Sequence, residues 1–209
     1  MKVLLFGATG GIGSQIRERA RANGHELVLF ARDTAKLDPL HDGETAVAGD
    51  IADAVRVTAA VAGVDAVISA LGPTSNGADQ VPLFENFARV LVEAMKAHGV
   101  RRLVAISGGA VDVPGERKRL AARLASAVVR LFVGNVVEAK QREFDVVYAS
   151  DLDWVAPRAA RVVDGPPTGT YKVGDAARGT RVTAGDVADF MVGALTDDRY
   201  LRQAPLIAN

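Results

Sequence analysis

The residues Gly7-Ala8-Thr9-Gly10-Gly11-Ile12-Gly13 follow the apolar run Val3-Leu4-Leu5-Phe6 and open a helical pattern that reaches Asn23. A strand, a glycine turn and a helix in this order suit the phosphates of a dinucleotide. Gly7 permits a turn that few residues can make, Gly10 lets phosphate oxygens approach the backbone, and Gly13 lets helix and strand pack closely. The helix start then offers N–H groups without intrahelical partners to an anion. Thr9, Gly11 and Ile12 complete the candidate phosphate loop. A ligand-free turn would need fewer glycines.

Other candidates stand where strands should end. Arg32 follows the apolar run Glu26–Ala31; an arginine there can pair with the 2′-phosphate of NADP, where an NAD site usually carries an acid. Lys36 can add a second cation, and Asp33 suits the N-cap of the turn Thr34–Leu37. Asp50, after Thr45–Ala48, can accept from an adenine amino group or cap the next helix. The strand ending in Ala70-Leu71 closes into Gly72-Pro73-Thr74-Ser75-Asn76-Gly77, a loop expected at the switch point facing the glycine turn. Ser107 ends the strand Arg102–Ser107 at the same sheet edge, where chemistry would occur. Arg158, just past a sixth strand, is a candidate contact for a polar substrate, or else a salt-bridged surface arginine.

Some chemistries are excluded. The chain has no cysteine, so it has neither a disulfide nor a thiolate nucleophile. His25, His41 and His98 fit no metal-ligand spacing, and no metal is expected. No G-x-S-x-G elbow is present. Four residues after Tyr148, Tyr171 and Tyr200 stand Leu152, Asp175 and Ala204, so the Tyr-x-x-x-Lys donor is missing. Ketone reduction leaves an alkoxide that needs a positioned acid, whereas a flavin or quinone stabilises its own anion after accepting hydride. The second class of acceptor suits this site better.

The elements that must position these residues alternate. Strands at Val3–Phe6, Glu26–Ala31, Thr45–Ala48, Val64–Leu71, Arg102–Ser107 and Leu152–Pro157 are separated by helical patterns, including Ala52–Ala62 and Leu83–His98. Two helices, Glu116–Val133 and Asn135–Ser150, precede the sixth strand; the first sets Arg117, Lys118, Arg119, Arg123 and Arg130 opposite an apolar stripe, read as a solvated face. Short strands at Tyr171–Val173 and Arg181–Thr183 and a helix at Asp186–Leu195 finish the chain. The fold class is α/β, a Rossmann-like doubly wound parallel sheet in three layers. One dinucleotide-binding domain over residues 1–209 is expected, with residues 151–209 shaping the substrate site.

With 209 residues and 49% hydrophobic content, the chain can build a sizeable core. Its 25 basic and 25 acidic side chains sum to zero, and 5% aromatics leave few stacking platforms, so neither nucleic acid nor membrane is expected as a partner. The start, Met-Lys and then a short strand, lacks a long apolar leader segment, and a cytoplasmic location is expected. Monomer and dimer both stay open.

Taken with Ala31-Arg32-Asp33, Gly49-Asp50, Asp65–Gly72, Leu152-Asp153-Trp154, Thr168–Tyr171 and Arg181–Ala188, the glycine loop resembles that of the atypical short-chain dehydrogenase/reductases. Within them the chain resembles the NAD(P)H-flavin reductase group and is similar to biliverdin reductase B and NmrA-like proteins. That resemblance implies cofactor contacts from the glycine loop, Arg32 and Lys36, Asp50-Ile51 and Leu71-Gly72, with Ser107 near the nicotinamide. It also implies an NADP(H)-preferring reductase, with NAD(H) as an alternative cofactor and FMN or FAD as substrate. Gly108 and Ala159 stand where biliverdin reductase B carries a serine and a histidine, so biliverdin is not the expected acceptor. An NADP(H)-sensing regulator of NmrA type is the alternative, and a sugar-nucleotide epimerase or dehydratase a weaker one.

Overall fold

Along the first strand Val3 and Leu5 point to one side, Leu4 and Phe6 to the other, and all four are buried. A strand buried on both faces needs helices on both faces. The computed structural model describes residues 1–116, 120–159, 161–177 and 179–209, with their side chains except those of 120–125 and Ala176. In chain order the elements are β1 Lys2–Phe6, α1 Gly11–Ala22, β2 Glu26–Ala31, β3 Glu44–Ala48, α2 Ala54–Val61, β4 Ala66–Ser69, α3 Gln80–Ala97, β5 Arg102–Ala105 and β6 Ser107–Gly108. There follow α4 Leu120–Ala149, β7 Asp153–Val155, β8 Arg158–Ala159, β9 Val162–Val163, β10 Lys172–Val173, β11 Val182–Thr183, α5 Ala184–Gly193 and β12 Leu206–Ala208.

The main sheet runs β3-β2-β1-β4-β5-β7, with every neighbouring pair parallel. Strand order reverses between β1 and β4, the switch point of a doubly wound Rossmann-like sheet. On one face Val3, Leu5, Leu27, Leu29, Ile68 and Val104 pack with Ile16 of α1 and Met191 of α5. On the other, Leu4, Phe6, Val28, Val67 and Leu103 pack with Val57 of α2, Phe87 and Met95 of α3 and Phe144 of α4. Each such fully buried side chain contributes about 2 kcal/mol. Phe6 anchors the second face, its ring 4.9 Å from Phe30 and 5.0 Å from Phe87.

Several boundaries depart from the sequence expectation. The fifth strand stops at Ala105, because Ser107–Gly108 leaves the main sheet and pairs with Arg158–Ala159 in a second one, ordered β10-β12-β8-β6. Asp53, not Asp50, caps α2, accepting from Arg56 N at 3.0 Å. The two helices expected before the sixth strand form one element bent at Val133, whose φ −135° and ψ 46° are not helical. Asn76 relieves that break: its Oδ1 accepts from Asn135 N at 3.0 Å and Val136 N at 3.3 Å, capping the second half from another loop. Arg117, Lys118, Arg119 and the side chain of Arg123, expected on a basic helix face, lie outside the described residues.

Candidate functional site

The glycine loop is built as its residue types require. Gly7 has φ +85°, and a Cβ there would press against the Ala70–Leu71 backbone at 3.1–3.3 Å. Gly10 N donates to Gly7 O at 3.0 Å, closing the turn, and Gly10 occupies the N-cap of α1 without any side-chain cap. A Cβ on Gly13 would lie 1.9 Å from Gly7 O, so only glycine lets α1 start against β1. The N–H groups of Gly11, Ile12 and Gly13 therefore open the helix with no side-chain acceptor, which is how a backbone anion site is made. Asp164, after β9, overhangs this loop: a Cβ on Gly11 would be 3.6 Å from its Oδ1.

Ala70, Leu71 and Gly72 meet the loop from β4, with Ala70 N donating to Phe6 O at 3.0 Å. The switch-point crevice thus has Gly7–Gly13 on one wall and Ala70–Gly72 on the other. Arg32 is exposed at the end of β2 and has no ion-pair partner among the described residues. Asp33 caps the turn Thr34–Lys36, accepting from Ala35 N at 3.1 Å, and so sets Lys36 in place. A cleft of about 290 Å³ runs between Ala8-Thr9, the outer side of α1 and Lys36, with Asp38 and His41 on its far wall. Its floor is Arg17, buried and held to Glu44 by hydrogen bonds of 2.8 and 2.6 Å. Burial alone would raise the Glu44 carboxyl, but Arg17 and His41 N–H hold it below the ordinary carboxylate range.

Asp50 is exposed beyond β3, with Oδ1 accepting from Ala52 N at 2.9 Å, and Ile51 beside it packs against the core. Ser107 is 5% exposed; its N–H donates to Pro157 O at 2.8 Å, while its hydroxyl has no partner among the described residues. Arg158, paired in register with Ser107, is 4% exposed. Its guanidinium donates to Ala204 O at 2.8 Å, to Val111 O at 3.3 Å and to both oxygens of Glu116 at 2.8 and 2.7 Å. It is neither a free arm nor a surface ion pair, and a substrate would reach it only by displacing Glu116.

One residue at this edge escaped the sequence reading. Lys140 of α4 is buried, donates to Leu71 O at 3.1 Å, pairs closely with Glu143 and lies 5.5 Å from the Phe84 ring centre. Ser107, Lys140 and Glu143 border one small cavity of about 10 Å³, the size of one water molecule. Burial pushes the Glu143 carboxyl up against the opposing pull of Lys140. The signal in the sequence was Lys140 on the inner face of the last long helix; with Val136 four residues earlier in place of a tyrosine, it did not read as half of a pair.

A parallel doubly wound sheet with an uncapped glycine turn at its switch point defines a dinucleotide-binding domain. The chain belongs to the NAD(P)H-binding family, whose model matches residues 7–198. It is 35% identical over 106 residues to a uronate dehydrogenase of Pseudomonas putida, a match covering 49% of this chain and 39% of that protein. The chain thus spans about two fifths of the length of such relatives. Its fold is that of the oxidoreductase ylbE of Lactococcus lactis, with TM-score 0.82, 19% identity and coverage of 100% of this chain and 91% of that one. The anaerobilin reductase ChuY of Escherichia coli O157:H7 gives TM-score 0.80 at 21% identity, covering 100% and 97%. The resemblance to atypical short-chain dehydrogenase/reductases therefore holds for family and fold.

Proposed function

We propose that this protein is an NADPH-dependent reductase passing hydride to a flat conjugated acceptor of the flavin or quinone kind. The observation that carries the reading is the meeting, at one sheet edge, of the uncapped glycine loop with Ser107 and the buried Lys140. The reductase and dehydrogenase activities named for ChuY and the uronate dehydrogenase support the general class.

The residues present fit the cofactor. Gly11, Ile12 and Gly13 N–H groups would hold the diphosphate, Arg32 and Lys36 the 2′-phosphate, and Asp50 with Ile51 the adenine. Bound NADPH supplies the hydride. Ala70, Leu71 and Gly72 would line the nicotinamide end. The Ser107 hydroxyl, unpartnered among the described residues, would accept from or donate to the carboxamide or the acceptor. Lys140 Nζ, held between Leu71 O and Glu143, would offer a positive charge to an acceptor bound at this edge, with solvent as the source of the net proton.

Anaerobic stopped-flow mixing of NADPH-loaded protein with FMN, riboflavin or a quinone tests the reading, following the loss of cofactor absorbance against a protein-free control. Enzyme-dependent oxidation is expected. Tight NADPH binding with silence across the panel would refute the reductase and leave the sensor. Ser107→Ala is expected to lower turnover at saturating NADPH; unchanged turnover would remove the hydroxyl from the chemistry.

A further inference from the structure

Arg17 is buried, 7% exposed, yet the protein uses only part of its guanidinium. Nε and Nη2 donate to the two carboxylate oxygens of Glu44 at 2.8 and 2.6 Å. Nη2 also donates to Pro39 O at 2.9 Å and, less closely, to Asp38 O at 3.3 Å. A guanidinium carries five N–H donors in one plane, and these bonds occupy its Nε–Nη2 edge. Nη1, with two N–H groups, donates to nothing among the described residues. Since Arg17 borders the cleft of about 290 Å³ beside α1, Nη1 is the nitrogen left for whatever enters there.

The same cleft is bordered by Thr9 of the glycine loop and by Lys36, so it continues from the candidate dinucleotide site. Its charges nearly balance. Arg17, Arg21 and Lys36 bring three cations, while Glu18 and Asp38 border the cleft and Glu44 lies against Arg17. A net positive field is therefore not what would draw an anion in. Directed N–H donors would hold it instead, which suits a compact group with several acceptor oxygens, as a phosphate monoester has.

We infer that Arg17 Nη1, together with Lys36, holds a phosphate monoester in this cleft, and that Arg17 thereby helps to separate the 2′-phosphate of NADP from the 2′-hydroxyl of NAD. The inference rests on the dinucleotide reading and deepens it. Arg32 and Lys36 are exposed, and they lose side-chain freedom when they close on a phosphate. Arg17 is fixed by its bonds to Glu44, Asp38 O and Pro39 O before any ligand arrives, so its two free donors bind without that loss.

Calorimetric titration of the full chain with adenosine 2′,5′-bisphosphate and with 5′-AMP isolates the 2′-phosphate, and inorganic phosphate serves as a third probe. The bisphosphate is expected to bind about a hundredfold more tightly than AMP. Arg17→Lys keeps a cation against Glu44 but lacks the Nη1 arm; Arg17→Met combined with Glu44→Leu removes the buried pair as a unit. Each should lower the preference for the bisphosphate about tenfold, with AMP affinity and the circular dichroism spectrum unchanged. An undiminished preference in either folded variant would make Arg17 only a tie between α1 and residues 38–44, and would overturn the inference. So would inorganic phosphate binding as tightly as the bisphosphate, which would put a free-phosphate site in the cleft. Equal binding of the two nucleotides by the wild type would overturn the inference and leave the cofactor reading standing, whereas no binding of either would remove both.

Discussion

Two alanine substitutions three residues apart should fail in opposite ways. In Gly13→Ala the new Cβ meets Gly7 O at 1.9 Å, Gly7 C at 2.7 Å and Ala8 Cα at 3.0 Å, all backbone atoms that no rotamer change can clear. The shortfall from ordinary contact at Gly7 O is about 1.5 Å, so the loop or the first turn of α1 must move. Overpacking of this kind costs about 1–3 kcal/mol or more, and the better helix propensity of alanine returns about 1 kcal/mol. A net loss of about 2 kcal/mol corresponds to a fall of roughly 4–8 °C in Tm for a chain of this size. In Gly10→Ala the only contact within 4 Å among the described residues beyond the chain neighbours is Gly7 O at 3.4 Å, and φ −87° with ψ 165° suits any residue. Stability should stay within about 0.5 kcal/mol. The added methyl instead takes the room in which phosphate oxygens would meet the helix start, and NADPH should bind about tenfold or more weakly. Urea unfolding followed through the buried Trp154, together with titration of NADPH fluorescence, separates the two. A Gly10→Ala protein that binds like wild type, or a Gly13→Ala protein of wild-type stability, would refute this account of the loop.

Further expectations follow from the charges. Arg32→Ala should weaken NADPH about tenfold and leave NADH nearly unchanged in the same titration. Asp164→Asn should tighten both cofactors about fivefold by removing a carboxylate that overhangs the diphosphate position, an effect that shrinks in high salt. Lys140→Met combined with Glu143→Leu removes both members of a buried pair, so the fold should survive while kcat for the best acceptor falls about a hundredfold, as thermal melts and steady-state rates would show. Glu44→Gln should destabilise by about 3 kcal/mol at neutral pH. Because the Glu44 carboxyl is held below its unfolded value, its contribution is present above about pH 4 and lost as pH falls further, so wild type and variant should converge in acid.

What could be read from the sequence was whatever leaves a period or a spacing. The glycine loop, the run Glu26–Ala31 and the stripe of Phe84, Phe87, Leu91 and Met95 specify their local structure within a few residues, and the observed β1, α1, β2 and α3 follow them. The second sheet left no such mark, because β6 and β8 are two residues long and β12 three, too short for any alternation. Ser107 consequently read as the end of β5. The roles of Asp50 and Asp53 were hidden for a related reason: either aspartate could cap α2, and the choice depends on where the helix begins. Partnerships across the fold were invisible altogether. Arg17 with Glu44, Arg158 with Glu116 and Lys140 with Leu71 O join residues 27, 42 and 69 positions apart. The sequence showed the charges, and only the packing shows which of them are buried.

The small second sheet also governs the order in which the molecule can assemble. Strands β1 to β4 lie within the first 69 residues, whereas β12, the strand between β10 and β8, begins at Leu206. During synthesis the glycine-loop half of the main sheet can pair early, but the strip carrying Ser107 and Arg158 stays unpaired on the β12 side until Leu206–Ala208 emerges. Deleting residues 204–209 would separate β10 from β8 and expose the Ile207 position of the core. The glycine-loop half of the main sheet is thus the early-pairing half, and the strip carrying Ser107 and Arg158 is completed by β12.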